Sequence, residues 1–386
     1  MSSNKSKTLI SGLLVLAAVA LLVPIYFAPI WWVSLEAPQY PEEAFPSGVR
    51  ILFHMNGVFN GCEKVDKAEI TEEEILDCVH EMDTINHYVG MYPIAAGGPV
   101  ELTFSIFLMT LLGVMLLTFI FVNPKIRLMV MLVGFTALTA WMAMTLYSEG
   151  GLKYHNTHFL EGRVTVLGLE VEDDEPLSAG DAIIAQLKAA LAESGEIEEE
   201  LPKEEVCGKT ATIEYLESAF NDYQKRHGVE PKEWKGNASQ LLSWHYQKSL
   251  GRYFNDPAVL KPMVDRMSRT ADILFWALIA IMVLFVVTAR KARGFFSWLL
   301  VLIPITFPGL FILEYAAWLG WYGHNMSELG AFTLKPFMPT VFGQGKVAQF
   351  TTNSYPGIGF WLMVLFSALL LVAALMRFKQ VQKEND

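Results

Sequence analysis

The sequence has few charged residues, and this scarcity excludes most soluble classes of protein. Only 18% of its 386 residues are Asp, Glu, Lys or Arg, whereas a water-soluble chain carries about 25%. Basic residues are the scarcer kind, at 29 against 40 acidic ones, which gives a formal net charge of −11. A nucleic-acid-binding protein needs a basic surface to neutralise phosphates. The composition therefore indicates a membrane protein with acidic aqueous parts and no nucleic-acid partner.

The sequence also lacks the motifs of familiar enzymes. It contains no nucleotide-binding loop, no G-x-S-x-G, no C-x-x-C-H haem site and no H-E-x-x-H zinc site. The long apolar runs hold no His or Lys, and no carboxylate is expected at mid-membrane depth, which disfavours pumps and ion-coupled transporters. We predict no catalytic and no cofactor-binding residue, and whether the chain is an enzyme stays open.

Six apolar runs are long enough to cross a hydrocarbon core of about 30 Å. They predict an all-α integral membrane protein with six transmembrane helices and a mixed α/β exported portion built from three loops. The predicted spans are Thr8–Leu35, Leu102–Pro124, Leu128–Ser148, Ile273–Ala289, Gly294–Leu313 and Val347–Met376. The first could instead be a cleaved signal peptide, but its apolar run is longer than such peptides carry, so we expect an anchor with Trp31 and Trp32 at its outer interface.

Lys and Arg cluster at one end of every predicted span, and this sets the orientation. Short basic connections stay on the cytoplasmic side during insertion, so we expect a bacterial inner-membrane protein with both termini in the cytoplasm. All but two of the 40 acidic residues then lie in three exported loops, Glu36–Glu101, Glu149–Asp272 and Glu314–Lys346.

This orientation divides the chain into seven parts. They are the anchor (1–35), exported loop 1 (36–101), a transmembrane hairpin (102–148), a large acidic exported domain (149–272), a second hairpin (273–313), exported loop 3 (314–346), and the last helix with a cytoplasmic tail (347–386). Within the loops we predict strands at Val49–Met55 and Arg163–Val171, a helix opening at the capping box Thr71–Glu74, and helices over Asp181–Glu193, Thr210–Arg226 and Ser239–Phe254.

All three cysteines fall in the exported loops. Cys62 and Cys78 lie sixteen positions apart, and a disulfide is the usual outcome in an oxidising compartment, with metal ligation and free thiols as alternatives. Cys207 is left over and is expected to be a buried or free thiol.

The exported histidines suggest where a metal could bind. His87 and Met91 end loop 1, and His324 and Met326 lie in loop 3; imidazole with thioether is a ligand pair that suits Cu(I). His87 and Met91 could meet on one helical turn, although Gly90 makes that turn doubtful, and the alternative is ordinary docking of the loop. His155 and His158 form an H-x-x-H pair that could ligate a metal or be two solvated loop residues.

Four segments resemble a family of membrane proteins. They are Leu35-Glu-Ala-Pro-Gln-Tyr-Pro, Asn86-His-Tyr-Val-Gly-Met, Gly323-His-Asn-Met and the stretch from Pro336-Phe-Met-Pro to Phe350. The family consists of polytopic membrane proteins encoded beside nitrous-oxide reductase and its copper-maturation genes in the atypical branch of that system. The likeness covers about half of the chain and does not include loop 2. It carries no catalytic residues.

The resemblance implies a role in nitrous-oxide respiration on the periplasmic side. We therefore expect a membrane-anchored accessory factor for a copper-dependent enzyme, acting in maturation, copper handling or docking, with the copper enzyme or its maturation proteins as partner. Two alternatives stay open. One is a metal-free docking scaffold, and the other is a membrane enzyme subunit that oxidises quinol or another hydrophobic substrate with Glu101 or Glu314 as proton acceptor, although these carboxylates could simply mark helix ends.

Overall fold

A computed structural model describes residues 2–63, 77–121, 123–164, 208–227, 232–289, 295–332, 334–347 and 349–385. These residues are mostly helical. The helices are α1 (Ser2–Phe27), α2 (Cys78–Tyr88), α3 (Pro99–Ile120), α4 (Pro124–Tyr147), α5 (157–164), α6 (Lys209–His227), α7 (Ala238–Gly251), α8 (Pro257–Thr288), α9 (Phe295–Ile305), α10 (Phe307–His324) and α11 (Ile358–Asn385). The strands are β1 (Trp31–Glu36), β2 (Val49–His54), β3 (Gly57–Asn60), β4 (Gly343–Val347) and β5 (Phe350–Pro356).

The long apolar helices agree with the prediction of membrane-spanning segments. In the described part of the chain, α1, α3, α4, α8 and α11 are each long and apolar enough to cross a membrane, and α9 with α10 forms a sixth candidate bent by 50°. Pro304 precedes the bend and Pro308 follows it. Proline interrupts the helical hydrogen-bond ladder and crowds the preceding turn, which accounts for the bend.

The first predicted span, Thr8–Leu35, is too long. Helix α1 ends at Phe27, and Trp31–Glu36 is the strand β1. Pro29 lies between them and disfavours helical backbone at Ala28. Trp31 is only 2% exposed, so it belongs to the core and not to an interfacial belt.

The last two predicted spans have wrong boundaries. The run Val347–Met376 begins with β-structure, and its helix starts at Ile358. The Thr, Asn and Ser residues of β5 are uncharged. Because the span was predicted from the absence of charged residues, its predicted start lies too early in the chain. The span Gly294–Leu313 continues as α10 to His324. The third loop therefore starts after His324, and Glu314 is a helical residue.

The five strands form one antiparallel sheet in the order β3-β2-β1-β5-β4. The predicted strand Val49–Met55 is confirmed as β2. β1 is central: Val33 pairs with Ile51 of β2 on one side and with Ser354 of β5 on the other. The sheet therefore joins segments more than 300 residues apart. It lies beside the end of α1, the first half of α10 and the start of α11, and we call this the sheet end of the bundle.

A polar contact fixes the centre of the sheet against α10. The indole Nε1 of Trp31 donates to Ser354 Oγ at 2.8 Å, and that hydroxyl donates to the Val341 carbonyl at 2.8 Å. The Tyr315 hydroxyl lies 3.4 Å from the same Oγ. Because all of these groups are largely buried, the contact satisfies polar atoms that would otherwise destabilise the core.

The junction between sheet and helices depends on a close backbone approach. Gly357 N–H donates to the Ile30 carbonyl and Gly359 N–H to the Pro29 carbonyl, both at 2.8 Å. A Cβ at Gly357 would lie 2.4 Å from the Pro29 oxygen. Only glycine fits there, and α1 and α11 pack side by side below this point.

The predicted loop helices are confirmed where the structure describes them. Thr210–Arg226 corresponds to α6, and Ser239–Phe254 corresponds to α7. Residues 163–164 are helical, as part of α5, and are not a strand. The rest of the predicted strand, the capping box Thr71–Glu74, the helix Asp181–Glu193 and Cys207 lie outside the described residues. Helix α2 begins after Asp77, whose carboxylate accepts the N–H groups of Val79 and His80.

Cys62 and Cys78 form the disulfide, with Cα atoms 5.8 Å apart. The bond joins the segment after β3 to the first residue of α2. Asn60 Oδ1 accepts the backbone N–H groups of both cysteines, at 3.0 and 3.3 Å. The disulfide and Asn60 together hold α2 against the sheet.

Two arginines bind helix C-termini at the opposite end of the bundle. Arg127 Nη2 donates to the Ala289 carbonyl at 3.2 Å, and Arg377 donates to the carbonyls of Phe119 and Phe121. A cation at a helix C-terminus is stabilised by the unpaired carbonyls and the helix dipole.

Replacing both Cys62 and Cys78 with Ser should lower the unfolding free energy by about 3 kcal/mol, because the unfolded chain gains loop entropy. Thermal unfolding in detergent measures the change. As a control, alkylation of the unfolded wild type should label one cysteine without reductant and three with it. Three labels without reductant would contradict the disulfide.

Candidate functional site

The first and third loops meet at a backbone junction. Ser327 N–H donates to the Gly90 carbonyl at 2.7 Å, and Phe332 N–H donates to the Tyr88 carbonyl at 2.9 Å. Gly90 has φ +81°, and a Cβ there would lie 2.5 Å from the Ser327 oxygen. We call residues 88–91 with residues 326–332 the loop junction. It brings the two His/Met segments of the sequence into one region.

His87 and Met91 occupy different parts of this region. Helix α2 ends at Tyr88, so the two residues do not share a helical turn. The His87 ring stacks on Tyr253 with centroids 4.7 Å apart, and its Nδ1 is buried with no hydrogen-bond partner among the described residues. Burial lowers the pKa of His87, which favours the neutral, ligating form of the imidazole at neutral pH. Met91 is buried in an aromatic-rich cluster with Phe254.

His324 and Met326 lie on the other side of the junction. His324 is exposed at the end of α10 and its Nδ1 donates to the Gly320 carbonyl at 2.7 Å, which leaves Nε2 as the nitrogen that can bind a ligand. Met326 packs against the same cluster that contains Met91. The fold therefore places both thioethers in or against one cluster, while His87 faces Tyr253 and His324 faces solvent.

The H-x-x-H pair has other contacts. His155 is buried: its Nε2 donates to the Thr103 carbonyl at 3.1 Å and its Nδ1 accepts from Asn156 N–H at 3.0 Å. Burial lowers the pKa of His155 to about 4. His158 stacks on Phe27, and its Nδ1 is buried without a partner among the described residues. Both nitrogens of His155 are thus already used, whereas one nitrogen of His158 is not.

Across the described residues, no three side chains of the types His, Cys, Asp and Glu are grouped so that they could hold a metal. A copper site built from two histidines and two methionines would not depend on such a group. The metal-ligand assignments for His87, Met91, His324, Met326, His155 and His158 stay predictions.

The structure also contains a candidate site that the sequence analysis did not locate. A cavity of about 420 Å³ lies between α3, α8 and the bent pair α9–α10, with the ends of β2 and β3 at its top. Its wall is overwhelmingly apolar and includes Leu112, Met115, Leu278, Phe285 and Phe307. Its ionisable groups belong to His54, Glu101, Glu314, Tyr315 and Tyr322.

The sequence suggested that Glu101 and Glu314 could both mark helix ends, and the structure agrees for one of them. Glu101 does lie in the first turn of α3, as a helix-end residue. Glu314 instead lies inside α10, within a candidate span, and its side chain lines the cavity. In the sequence, apolar residues lie on both sides of Glu314. This pattern could have indicated that the helix continues through it. The expectation that Glu314 opens the third exported loop is therefore wrong.

Trp318 orients one of these carboxylates. The indole Nε1 of Trp318 donates to Glu101 Oε1 at 3.3 Å. Glu101 Oε2 is buried and has no hydrogen-bond partner in the other described residues. An unpartnered buried carboxylate oxygen is costly, so the cavity contains a polar atom suited to a ligand hydroxyl or, when protonated, a ligand carbonyl.

A buried aspartate holds the turn that closes the sheet end of this cavity. Asp83 is 2% exposed, and its Oδ1 accepts the Ile94 N–H at 2.6 Å. The Tyr322 hydroxyl donates to the neighbouring Pro93 carbonyl at 3.2 Å. Burial raises the pKa of Asp83 to about 7, while its hydrogen bonds and Arg252 act in the opposite direction. Ile94 and Tyr322 both line the cavity, so this contact connects loop 1 to the site.

No protein-family model matches the chain, and neither curated proteins nor solved structures include a significant match to it. The proposals below therefore depend on the geometry and on the sequence motifs.

Replacing Gly90 with Ala should destabilise the loop junction. The positive φ costs an L-residue about 1–2 kcal/mol, and the Cβ also contacts the Ser327 oxygen. Gly150→Ala is the matched control, since Gly150 has φ +63° and no atom within 4 Å of its Cβ position. Thermal unfolding should show a larger loss for Gly90→Ala, and equal losses would contradict the contact.

Replacing Asp83 with Asn should flatten the dependence of stability on pH. The folded wild type holds the Asp83 proton up to about pH 7, while the unfolded chain releases it near 3.8. Its unfolding free energy should therefore fall as pH rises between these values, by up to about 1.4 kcal/mol per pH unit. The Asn oxygen still accepts the Ile94 N–H.

Thermal unfolding measured from about pH 5 to 8 tests this effect. Asp265→Asn is the control because Asp265 is exposed on α8, and it should keep the wild-type slope. An unchanged slope in Asp83→Asn would show that this carboxyl is ionised throughout.

Proposed function

We propose that the chain is a multi-pass protein of a bacterial inner membrane, with both termini in the cytoplasm and the sheet end exported. The positions of charge support this orientation. Arg127 and Arg377 bind helix ends opposite the sheet, where short basic connections are retained in the cytoplasm. The acidic loops would then be exported on the same side as the sheet. The disulfide between Cys62 and Cys78 suits an oxidising compartment.

We further propose that the protein is an accessory factor for a copper-dependent respiratory enzyme, with nitrous-oxide reductase as the candidate. Its role would be maturation, copper handling or docking on the periplasmic side. The observation that carries the proposal is the loop junction, because backbone hydrogen bonds from Ser327 to Gly90 and from Phe332 to Tyr88 join the two His/Met segments. Both segments also belong to the motifs of the family that the sequence resembles.

The donor set at the junction fits Cu(I) as a cargo. Met91 and Met326 share one cluster, and thioether sulfur is a soft ligand that selects Cu(I). His87 Nδ1 is a buried nitrogen without a partner among the described residues, and His324 uses Nδ1 for the Gly320 carbonyl, so that Nε2 is its candidate ligand atom. These four side chains would hold copper transiently, and the acidic exported surface would face the partner.

Removing both imidazoles should abolish copper retention. Wild type purified under reducing conditions and loaded with Cu(I) should keep copper through gel filtration, and His87→Ala with His324→Ala should keep at least tenfold less. His227→Ala is the control, since His227 is not a proposed ligand. Metal analysis of the eluted protein measures the difference.

Unchanged copper content in the double variant would refute the copper site. If the wild type holds no copper but captures a periplasmic partner, and salt weakens that capture, the metal-free docking scaffold is the correct alternative. Salt screens contacts between exposed charges, so this measurement separates an acidic docking face from a copper relay.

A further inference from the structure

The apolar cavity has the shape of a site for an elongated ligand. Along α3 its lining extends from Glu101 to Met115, which corresponds to about 21 Å of helix. On the facing side it reaches Phe285 near the end of α8 and Phe307 at the bend of α9–α10. Its volume of about 420 Å³ falls in the range of small-molecule sites, about 300–1,000 Å³.

The cavity is open to the surface of the bundle as well as to its interior. Ile281 of α8, Ile303 of α9 and Leu310 of α10 line it, and these side chains are 42%, 38% and 51% exposed. In a membrane these exposed apolar residues face lipid. A hydrophobic tail can therefore enter from the lipid side between α8 and the bent pair.

The polar groups of the cavity are confined to its sheet end. Glu101 has one oxygen held by Trp318 and the other without a partner in the described residues. Glu314 lines the same end. Tyr315 and Tyr322 also line it, and their hydroxyls contact Ser354 Oγ and the Pro93 carbonyl. His54 donates from Nδ1 to the Phe27 carbonyl at 3.0 Å, and burial lowers the pKa of His54, so its Nε2 is an acceptor.

A second cavity adjoins the first at the two carboxylates. It has a volume of about 430 Å³, is more open, and shares Glu101, Glu314 and Trp318 with the apolar cavity. Its remaining wall contains Thr270 and the exposed Arg266. The two carboxylates therefore stand at the boundary between the apolar cavity and the more open one.

The charge of the wall restricts the class of ligand. Among the residues that the structure describes, no Lys or Arg lines the apolar cavity. A fatty acid or an anionic phospholipid would place a negative head beside Glu101 and Glu314, and like charges in a desolvated site repel. The head must instead be neutral and must offer a hydroxyl or a carbonyl to the free oxygen of Glu101.

We propose that this cavity binds an isoprenoid quinone or quinol, with the ring at Glu101 and Glu314 and the tail directed toward Met115. The ring supplies a hydroxyl or a carbonyl that can pair with the free oxygen of Glu101, and the isoprenoid tail matches the apolar wall. The inference is independent of copper handling, because none of the four proposed copper ligands lines the cavity.

A short-tailed naphthoquinone carrying two isoprene units is a suitable probe. The detergent-solubilised full chain is incubated with the probe and passed through gel filtration, and the retained quinone is extracted and quantified. We expect about one quinone per chain. Leu112→Trp fills the cavity and should reduce retention at least tenfold, whereas Leu117→Trp, which is on the exposed side of the same helix, should retain the wild-type amount.

Equal retention by the wild type and Leu112→Trp would overturn the proposal, since the quinone would then only partition into the micelle. Displacement by an equal concentration of phosphatidylglycerol would also overturn it, because an acyl chain would be the occupant. If Leu112→Trp unfolds, as judged by thermal unfolding, Glu101→Leu and Glu314→Leu decide the matter, because leucine offers no polar atom to the quinone ring. Each should weaken quinone retention severalfold while leaving the copper content of the protein unchanged.

Discussion

The pairing of β1 with β5 is the constraint on which the rest of the structure depends. β1 follows the first long helix and β5 precedes the last one, so their ladder fixes α1 against α11 and sets the position of both helices below the sheet. The close approach at Gly357 allows this ladder to continue directly into helix–helix packing. β1 is central in the sheet: β2 and then β3 extend it on one side, and β4 extends it beyond β5 on the other.

The sheet in turn positions both candidate sites. β2 and β3 form the top of the apolar cavity, and the disulfide from Cys62 to Cys78 holds α2 beside them. Helix α2 carries Asp83, which fixes the turn at Ile94, and ends at the loop junction. The cavity and the His/Met region are therefore separate sites supported by the same short helix.

Residue patterns predicted the long helices well, because a run of uncharged apolar residues is a local property. They failed at Trp31 and Phe350, where strands also lack charge and so look like extensions of the neighbouring spans. The disulfide between Cys62 and Cys78 was the outcome expected for two cysteines in a loop that is predicted to be exported. The cavity was not, since its lining combines residues of α3, α8 and α10 that are distant in sequence.

The sequence by itself determined the apolar helices, and it favoured a disulfide between Cys62 and Cys78 over metal ligation and free thiols. Only the tertiary structure decided that Glu314 lies within a bent span and shares a cavity with Glu101. It also decided that Gly90 contacts Ser327. The physical reason is that hydropathy and charge are properties of single residues and short segments. Strand pairing and cavities depend on contacts between segments that are distant in the sequence, and a local pattern does not show which segments will meet.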